Sequence, residues 1–200
     1  QLELAQERPD MKIVGPIYQL LDKGGHLTAN GSRMYANLLA KVQHRVQHLG
    51  QDWSPLRPLR VELISSQIFI DFLVPEPPLV FDTAYVIRNA TTYAQKGFKV
   101  IDLDNSNASV PVTVDIVGNT IIRLTLSGSY STNLAVYYAD KSTHNGNGNL
   151  RDSDPWVSHD SYVYDAGYMP VGDNIPALVG KPYPNHNWCV PFYLPVGYGV

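Results

Sequence analysis

Cysteine is almost missing from these 200 residues: Cys189 stands alone, which excludes an intrachain disulfide and any cysteine-built metal cage. Between Trp188 and Val190 it reads as a buried, inert thiol. An excess of either charge is missing too. With 15 Lys and Arg against 18 Asp and Glu, the net charge of -3 leaves no electrostatic footprint for nucleic acid or an anionic membrane. Apolar runs are short and interrupted, so no segment is expected to span a membrane. The charged, amphipathic opening Gln1-Leu2-Glu3 does not read as a signal peptide. No internal repeat is present.

What remains is the composition of a globular protein, 44% hydrophobic and 16% charged. The length suits one domain, or one domain with a fragment of another. Fifteen glycines, fifteen prolines and thirteen tyrosines point to many turns and a β-rich body with aromatic loops.

The first quarter is expected to be α/β. Residues 1–10 resemble a helix end stopped by Pro9-Asp10, and Met11 to Tyr18 (MKIVGPIY) reads as a strand buried on both faces. Asp22-Lys23-Gly24-Gly25-His26 follows as a glycine-hinged loop. Thr28 is a good N-cap for a helix whose apolar residues Met34, Leu38, Val42, Val46 and Leu49 recur every three or four positions, with Gly50 as its stop. Lys41, His44, Arg45 and His48 crowd its last turns, where positive charge opposes the helix dipole. Residues 1–52 thus look like the final portion of an α/β domain. Trp53 to Pro58 is a proline-spaced linker, and residues 59–200 form an all-β sandwich or jelly roll with no convincing helix. Its strands are expected at Arg60–Ile64, Gln67–Val74, Phe98–Ile101, Val110–Ile116, Asn119–Leu126, Leu134–Ala139 and Trp188–Val196, with a hairpin turn at Val117–Thr120.

Several residues are candidates for chemistry. Asp22 and His26 share one loop, the layout of a general base held by a carboxylate; a structural loop histidine and a solvated turn carboxylate are the plain alternatives. His44 and His48 have the i, i+4 spacing of a zinc site but lie off the apolar stripe, where solvated charge is the default. Asp102, Asp104 and Asn105 could ligate calcium or simply shape a polar turn. Trp156, Tyr162, Tyr164, Tyr168 and Tyr183 cluster in late loops, where they either stack on sugar rings or anchor the loops. Three glycosylation-type triplets, beginning at Asn30, Asn89 and Asn107, read as chance matches.

Gly15 to Val42 (GPIYQLLDKGGHLTANGSRMYANLLAKV), with its His-Leu-Thr-x-x-Gly pattern, resembles the last block of SGNH-type serine esterases. Pro77 to Thr83 (PPLVFDT), Lys96-Gly97-Phe98, Gly148 to Ser153 (GNLRDS) and Asn187-Trp188 resemble the β-domain that follows the catalytic domain in phage-associated, sialate-O-acetylesterase-like proteins. The resemblance implies the end of a flavodoxin-like hydrolase domain with a trailing β-domain. His26 would be the base and Asp22 its orienting carboxylate, with no metal or organic cofactor. The family spacing is Asp-x-x-His, whereas Lys23 stands three before His26 and Asp22 four before it. The family's Gly-Asp-Ser nucleophile block does not occur, since Gly172-Asp173-Asn174 lacks the serine and Asp152-Ser153 follows Arg151. The expectation is therefore the C-terminal part of a phage tail-spike or tail-fibre carbohydrate O-acetylesterase. Its serine would lie in an upstream part of the polypeptide or in a partner chain, its substrate would be a bacterial surface glycan, and its assembly a homo-oligomer, by tail-spike analogy a trimer on a virion outside the cell. The alternative is a non-catalytic virion or glycan-binding adhesin module that retains an esterase remnant.

Overall fold

The computed structural model describes residues 2–84 and 92–199, and in them β-sheet dominates over a few helices. In chain order the main elements are helices α1 (Leu2–Glu7) and α2 (Ala29–Gln43), then strands β1 (Arg57–Ile64), β2 (Gln67–Leu73), β3 (Val80–Phe81), β4 (Phe98–Asp102), β5 (Ala108–Val110), β6 (Val112–Ile116), β7 (Ile121–Leu126) and β8 (Leu134–Tyr138). The short helix α3 (Lys141–His144) precedes β9 (Leu150–Arg151), β10 (Val157–Ser161), β11 (Pro182–Pro184) and β12 (Phe192–Pro195).

Two four-stranded antiparallel sheets, ordered β1-β2-β7-β6 and β12-β8-β4-β5, pack on one core. Alternation along the strands builds it. Ile68, Ile70 and Phe72 of β2 point inward, with Ile68 paired to Leu124 and Ile70 to Ile122 on β7. From the other sheet, Phe98 pairs with Tyr138 and Val100 with Val136, all buried. The expected strand Val110–Ile116 is two strands. Pro111, with no N–H for a ladder, separates β5 from β6, and the chain passes there from one sheet to the other. The Val117–Thr120 turn joins β6 to β7, with Gly118 at φ +81° and the Val117 N–H bonded to Ile121 O. The last strand is shorter than expected, Phe192–Pro195, because Pro191 precedes it.

Two further expectations change. Met11 to Tyr18 is not a doubly buried strand: among the described residues it pairs with no strand, Met11 and Ile17 are exposed, and Ile13 and Val14 are only half-buried. A buried strand needs ladder partners on its edges, and instead the Trp53 indole N–H bonds to Ile13 O at 2.8 Å. The Trp53–Pro58 stretch is packed, with Trp53 and Leu56 buried and the Val190 N–H bonded to Leu56 O. Among the described residues the β-region also holds a short α-helix, α3, capped by the Asp140 side chain.

Helix α2 forms where the sequence places it. Thr28 caps it by accepting the Gly31 N–H, and Asn30, Gly31, Met34, Leu38, Lys41 and Val42 make its buried stripe. Past Gln43 it continues as a π-helical turn, His44–His48, and Gly50 closes it at φ +62°. The stripe packs in two ways. Near its start, Met34 joins Leu20, Leu21, Tyr162, Ile175, Leu178 and Tyr183 in a second core. Near its end lies a buried polar network. Lys41 Nζ donates to Asp154 Oδ2 (2.8 Å), Asn187 Oδ1 (2.7 Å) and Asn185 O (2.5 Å), with both charged side chains out of solvent. Asn187 in turn donates to Asp152 Oδ2 at 2.7 Å. Burial pulls the Lys41 ammonium down from its ordinary value and pushes the Asp152 carboxyl up; Asp154 and Asn187 oppose these shifts. So Lys41, expected only to oppose the helix dipole, is also a buried, fully hydrogen-bonded group.

Gly31 has no room for a side chain. An ideal Cβ there would lie 2.3 Å from Leu21 O, a backbone atom. Gly31→Ala should cost about 3 kcal/mol in displaced backbone against about 1 kcal/mol regained as helix propensity, a net loss of about 2 kcal/mol. Urea unfolding of the variant checks this, and an unchanged midpoint would remove the close approach from the account.

Candidate functional site

The Asp22–His26 turn is fixed at both ends. Leu20 and Leu21 are buried, the Thr28 N–H bonds to Leu21 O at 2.9 Å, and Asp22 pairs with Leu27 in a single antiparallel bridge. Within the turn the Lys23 N–H bonds to His26 O at 2.7 Å, while Gly24 and Gly25 take φ of +71° and +94°. The two glycines let the chain reverse tightly. This leaves Asp22 and His26 at opposite ends of one turn, both exposed, directly before the helix cap. The His-Leu-Thr-x-x-Gly pattern thus has a local physical cause: Thr28 caps the helix and Gly31 lets it sit on the Leu21 backbone.

Beside the turn is a cleft of 280 Å³, with Tyr18, Asp22 and Gly25 on one wall and Asn145, Gly146 and Asn147 on the other. The flexible-looking Asn-Gly-Asn run is therefore brought against the candidate catalytic loop. Tyr18 is a fixed wall. Its hydroxyl donates to Cys189 O at 2.9 Å and lies 3.1 Å from the Tyr138 hydroxyl, which accepts the Leu150 N–H. Burial pushes both phenols, and the Cys189 thiol, well above their ordinary range, so none of the three is poised to ionise.

The Asn145–Asn147 wall rests on an Asp–His pair that the sequence reading passes over. Asp140 caps α3 by accepting the Thr143 N–H, and His144 Nδ1 lies 2.5 Å from Asp140 Oδ1. The other ring nitrogen is 3.0 Å from Ala94 O, and His144 is buried. With both ring nitrogens engaged, this pair supports the loop and does not face the cleft. The signal was present as Asp-Lys-Ser-Thr-His, a capping aspartate with a histidine four residues on.

The other candidates scatter. Trp156 is 52% exposed and Tyr164 half-buried, but Tyr162 does not face solvent at all. Its ring lies in the second core with its hydroxyl donating to Asp173 O at 2.8 Å, because aromatic residues anchor this loop onto α2. Tyr183 is buried likewise and donates to Asn30 Oδ1 at 2.5 Å, whereas Tyr168 is 91% exposed. Asn30 is itself fully buried and donates to Val163 O, which excludes a glycan there in this fold. The triplet beginning at Asn89 lies outside the described residues. Asp102 fastens a turn: its two oxygens accept from the Ser131 hydroxyl, the Ser131 N–H and the Asp104 N–H, and the Ser131 bonds lower its pKa. His44 and His48 stack loosely at 5.5 Å on the π-helical turn, and no group of three potential metal ligands occurs among the described residues.

No protein-family model matches the chain, and no curated protein matches it either. Among solved structures it is similar to XAC1771, a carbohydrate acetylesterase from Xanthomonas citri, at 15% identity and a TM-score of 0.49 over 88% of this chain. It is also similar to the N-terminal part of the bacterial S-layer protein SbsC, at 11% identity and a TM-score of 0.39 over 86% of this chain. The chain spans 30% of the first of these structures and 29% of the second. At such identities and scores neither likeness carries the functional argument.

Asp140 gives the site a measurable pH signature. Burial raises its carboxyl, and the bonds from Ser142, the Thr143 N–H and His144 outweigh that, holding it at about 2. A carboxyl depressed in the folded state stabilises the fold above its unfolded value of about 4, and that contribution is lost as pH falls towards 2. Asp140→Asn should flatten the stability–pH profile between about pH 4 and pH 2. Thermal melts across that window test it; an acid limb as steep as the parent's would show that Asp140 is not the group responsible.

Proposed function

We propose that this chain is the C-terminal part of a carbohydrate O-acetylesterase whose nucleophilic serine lies outside these residues. His26 serves as general base and Asp22 as the carboxylate that orients it. The observation that carries the reading is the Asp22–His26 turn, which is pinned to the start of α2, exposes both side chains, and borders a cleft walled on its far side by Asn145–Asn147. The fit of its residues to the SGNH-type pattern adds to this. The finer reading follows from that resemblance: the end of a flavodoxin-like hydrolase domain, a trailing sandwich or jelly-roll domain, and a trimeric phage tail-spike or tail-fibre that acts on bacterial surface polysaccharide outside the cell.

In this mechanism the serine Oγ attacks the acetyl carbonyl as His26 takes its proton. His26 returns that proton to the departing sugar oxygen, leaving an acetyl-serine. Water, deprotonated by His26, then attacks the acyl carbon, and collapse of the intermediate reprotonates serine and frees acetate. The backbone hydrogen bonds that close the turn and the exposure of His26 support this role.

A second reading, a non-catalytic virion or glycan-binding adhesin module, is favoured by the exposed rings of Trp156 and Tyr168. Turnover separates the two. In the full polypeptide, with any partner that supplies the serine, His26→Ala should lower hydrolysis of an acetylated glycan by about 10⁶-fold and Asp22→Ala by about 10⁴-fold. Undiminished hydrolysis in His26→Ala would overturn the assignment of the base. A polypeptide with no ester turnover would leave the adhesin reading.

A further inference from the structure

A larger cleft, 440 Å³, shares no lining residue with the one beside the Asp22–His26 turn and lies on the face of the β12-β8-β4-β5 sheet opposite the core. That volume is within the about 300–1,000 Å³ usual for small-ligand sites. One cross-strand row crosses it. Lys99 on β4 pairs with Tyr137 on β8, and Tyr137 pairs with Tyr193 on β12. The two phenol rings lie 4.5 Å apart at 38°, and Lys99 Nζ is 5.8 Å from the Tyr137 ring. Tyr193, outermost in the row, is 49% exposed. Among the described residues neither phenol hydroxyl makes a hydrogen bond. Asn107, at φ +60° in the β4–β5 turn, and Lys141 and Ser142 of α3 supply a polar rim.

The charges at the rim are unequal. Lys99 and Lys141 bring two ammonium groups against one carboxylate, Asp140. Its oxygens already accept from the Ser142 hydroxyl, the Thr143 N–H and His144. Lys99 stands 3.9 Å from Asp140 and donates to Ser142 Oγ at 3.5 Å, and Lys141 donates to Asn145 Oδ1, so each ammonium keeps donor capacity for a ligand. An exposed aromatic ring with hydrogen-bonding groups around it and a surplus of positive charge suits a flat ligand. Such a ligand is apolar on its face, hydroxylated at its rim and negatively charged. A uronic acid has that chemistry.

We propose that this cleft is a glycan-binding subsite that takes an acidic pyranose of an oligosaccharide. The sugar ring lies against Tyr193, its hydroxyls meet Asn107 and Ser142, and its carboxylate meets Lys99 and Lys141. The site is separate from the Asp22–His26 turn and does not depend on the esterase reading, since its readout is binding.

The test is calorimetric titration of the full polypeptide with tetragalacturonate, tetramannuronate and a hyaluronan tetrasaccharide, each beside its methyl-esterified, neutral form. At least one acidic probe should bind at millimolar concentration or better, and its methyl ester should bind about tenfold more weakly. Tyr193→Ala should weaken binding by about tenfold, and Tyr193→Phe, which keeps the ring, should retain it. If Tyr193→Ala does not fold, Lys99→Met reads the same site through the loss of one ammonium. Failure of all three acidic probes overturns the proposal, as does equal binding of the neutral forms or binding indifferent to both Tyr193 and Lys99.

Discussion

The molecule depends on what happens to one ammonium group. Lys41 sits on the buried stripe of α2 with its side chain 2% exposed, where an unpaired charge would be prohibitive. It is tolerated because its three N–H donors meet three oxygens: a carboxylate, a side-chain amide and a backbone carbonyl. Those oxygens come from Asp154, Asn187 and Asn185, segments more than a hundred residues away in sequence. Trp53 lies over the same group, with its ring 5.8 Å from Lys41 Nζ and 5.6 Å from the Arg45 guanidinium. A charge that can be satisfied in one geometry only makes that geometry specific, which packing of apolar surfaces alone does less well.

A second polar anchor stands at the other end of the same helix. Asn30 donates to Val163 O and accepts from Tyr183 inside the smaller core. Residues 30 and 41 are about 16 Å apart along a helix, so the helix is held at two separated points. Its start carries the Thr28 cap and the Leu21 contact, and these fix the Asp22–His26 turn. The position of Asp22 and Gly25 across the cleft from Asn145–Asn147 thus descends from the anchoring of α2. The functional reading needs that rigidity, because a general base must be held within hydrogen-bond reach of its partner.

Much of the β-region was legible because alternation is a strong signal when one face of a strand is buried, as in Ile68, Ile70 and Phe72. The helix was legible from its cap and period. Pattern reading failed where contacts at a distance decide. Val110 to Ile116 alternates without a break, yet Pro111 moves the chain to the other sheet. Met11 to Tyr18 has the residues of a strand, and a strand also needs edges to pair with. The burial of Lys41 is not visible in the helix pattern because its acceptors are remote in sequence. For Tyr162 the pattern leaves sugar stacking and loop anchoring open for the same reason, and the structure shows anchoring. Of the candidate site, Asp22 and His26 were visible because their chemistry is local. The Asp140–His144 support and the Lys99–Tyr137–Tyr193 row were not, since one rests on a four-residue helix and the other on register between three strands.

The most direct measurement is a double-mutant cycle on Lys41 and Asp154, with stability read by urea unfolding of the parent, Lys41→Met, Asp154→Leu and the double variant. Removing either partner should destabilise the fold by about 3–5 kcal/mol, while the double variant should recover much of that loss, because no lone charge remains buried. Single variants within about 0.5 kcal/mol of the parent, with no coupling between them, would contradict the account. Lys41 would then be an incidental contact, and the placement of the Asp22–His26 turn would need another cause.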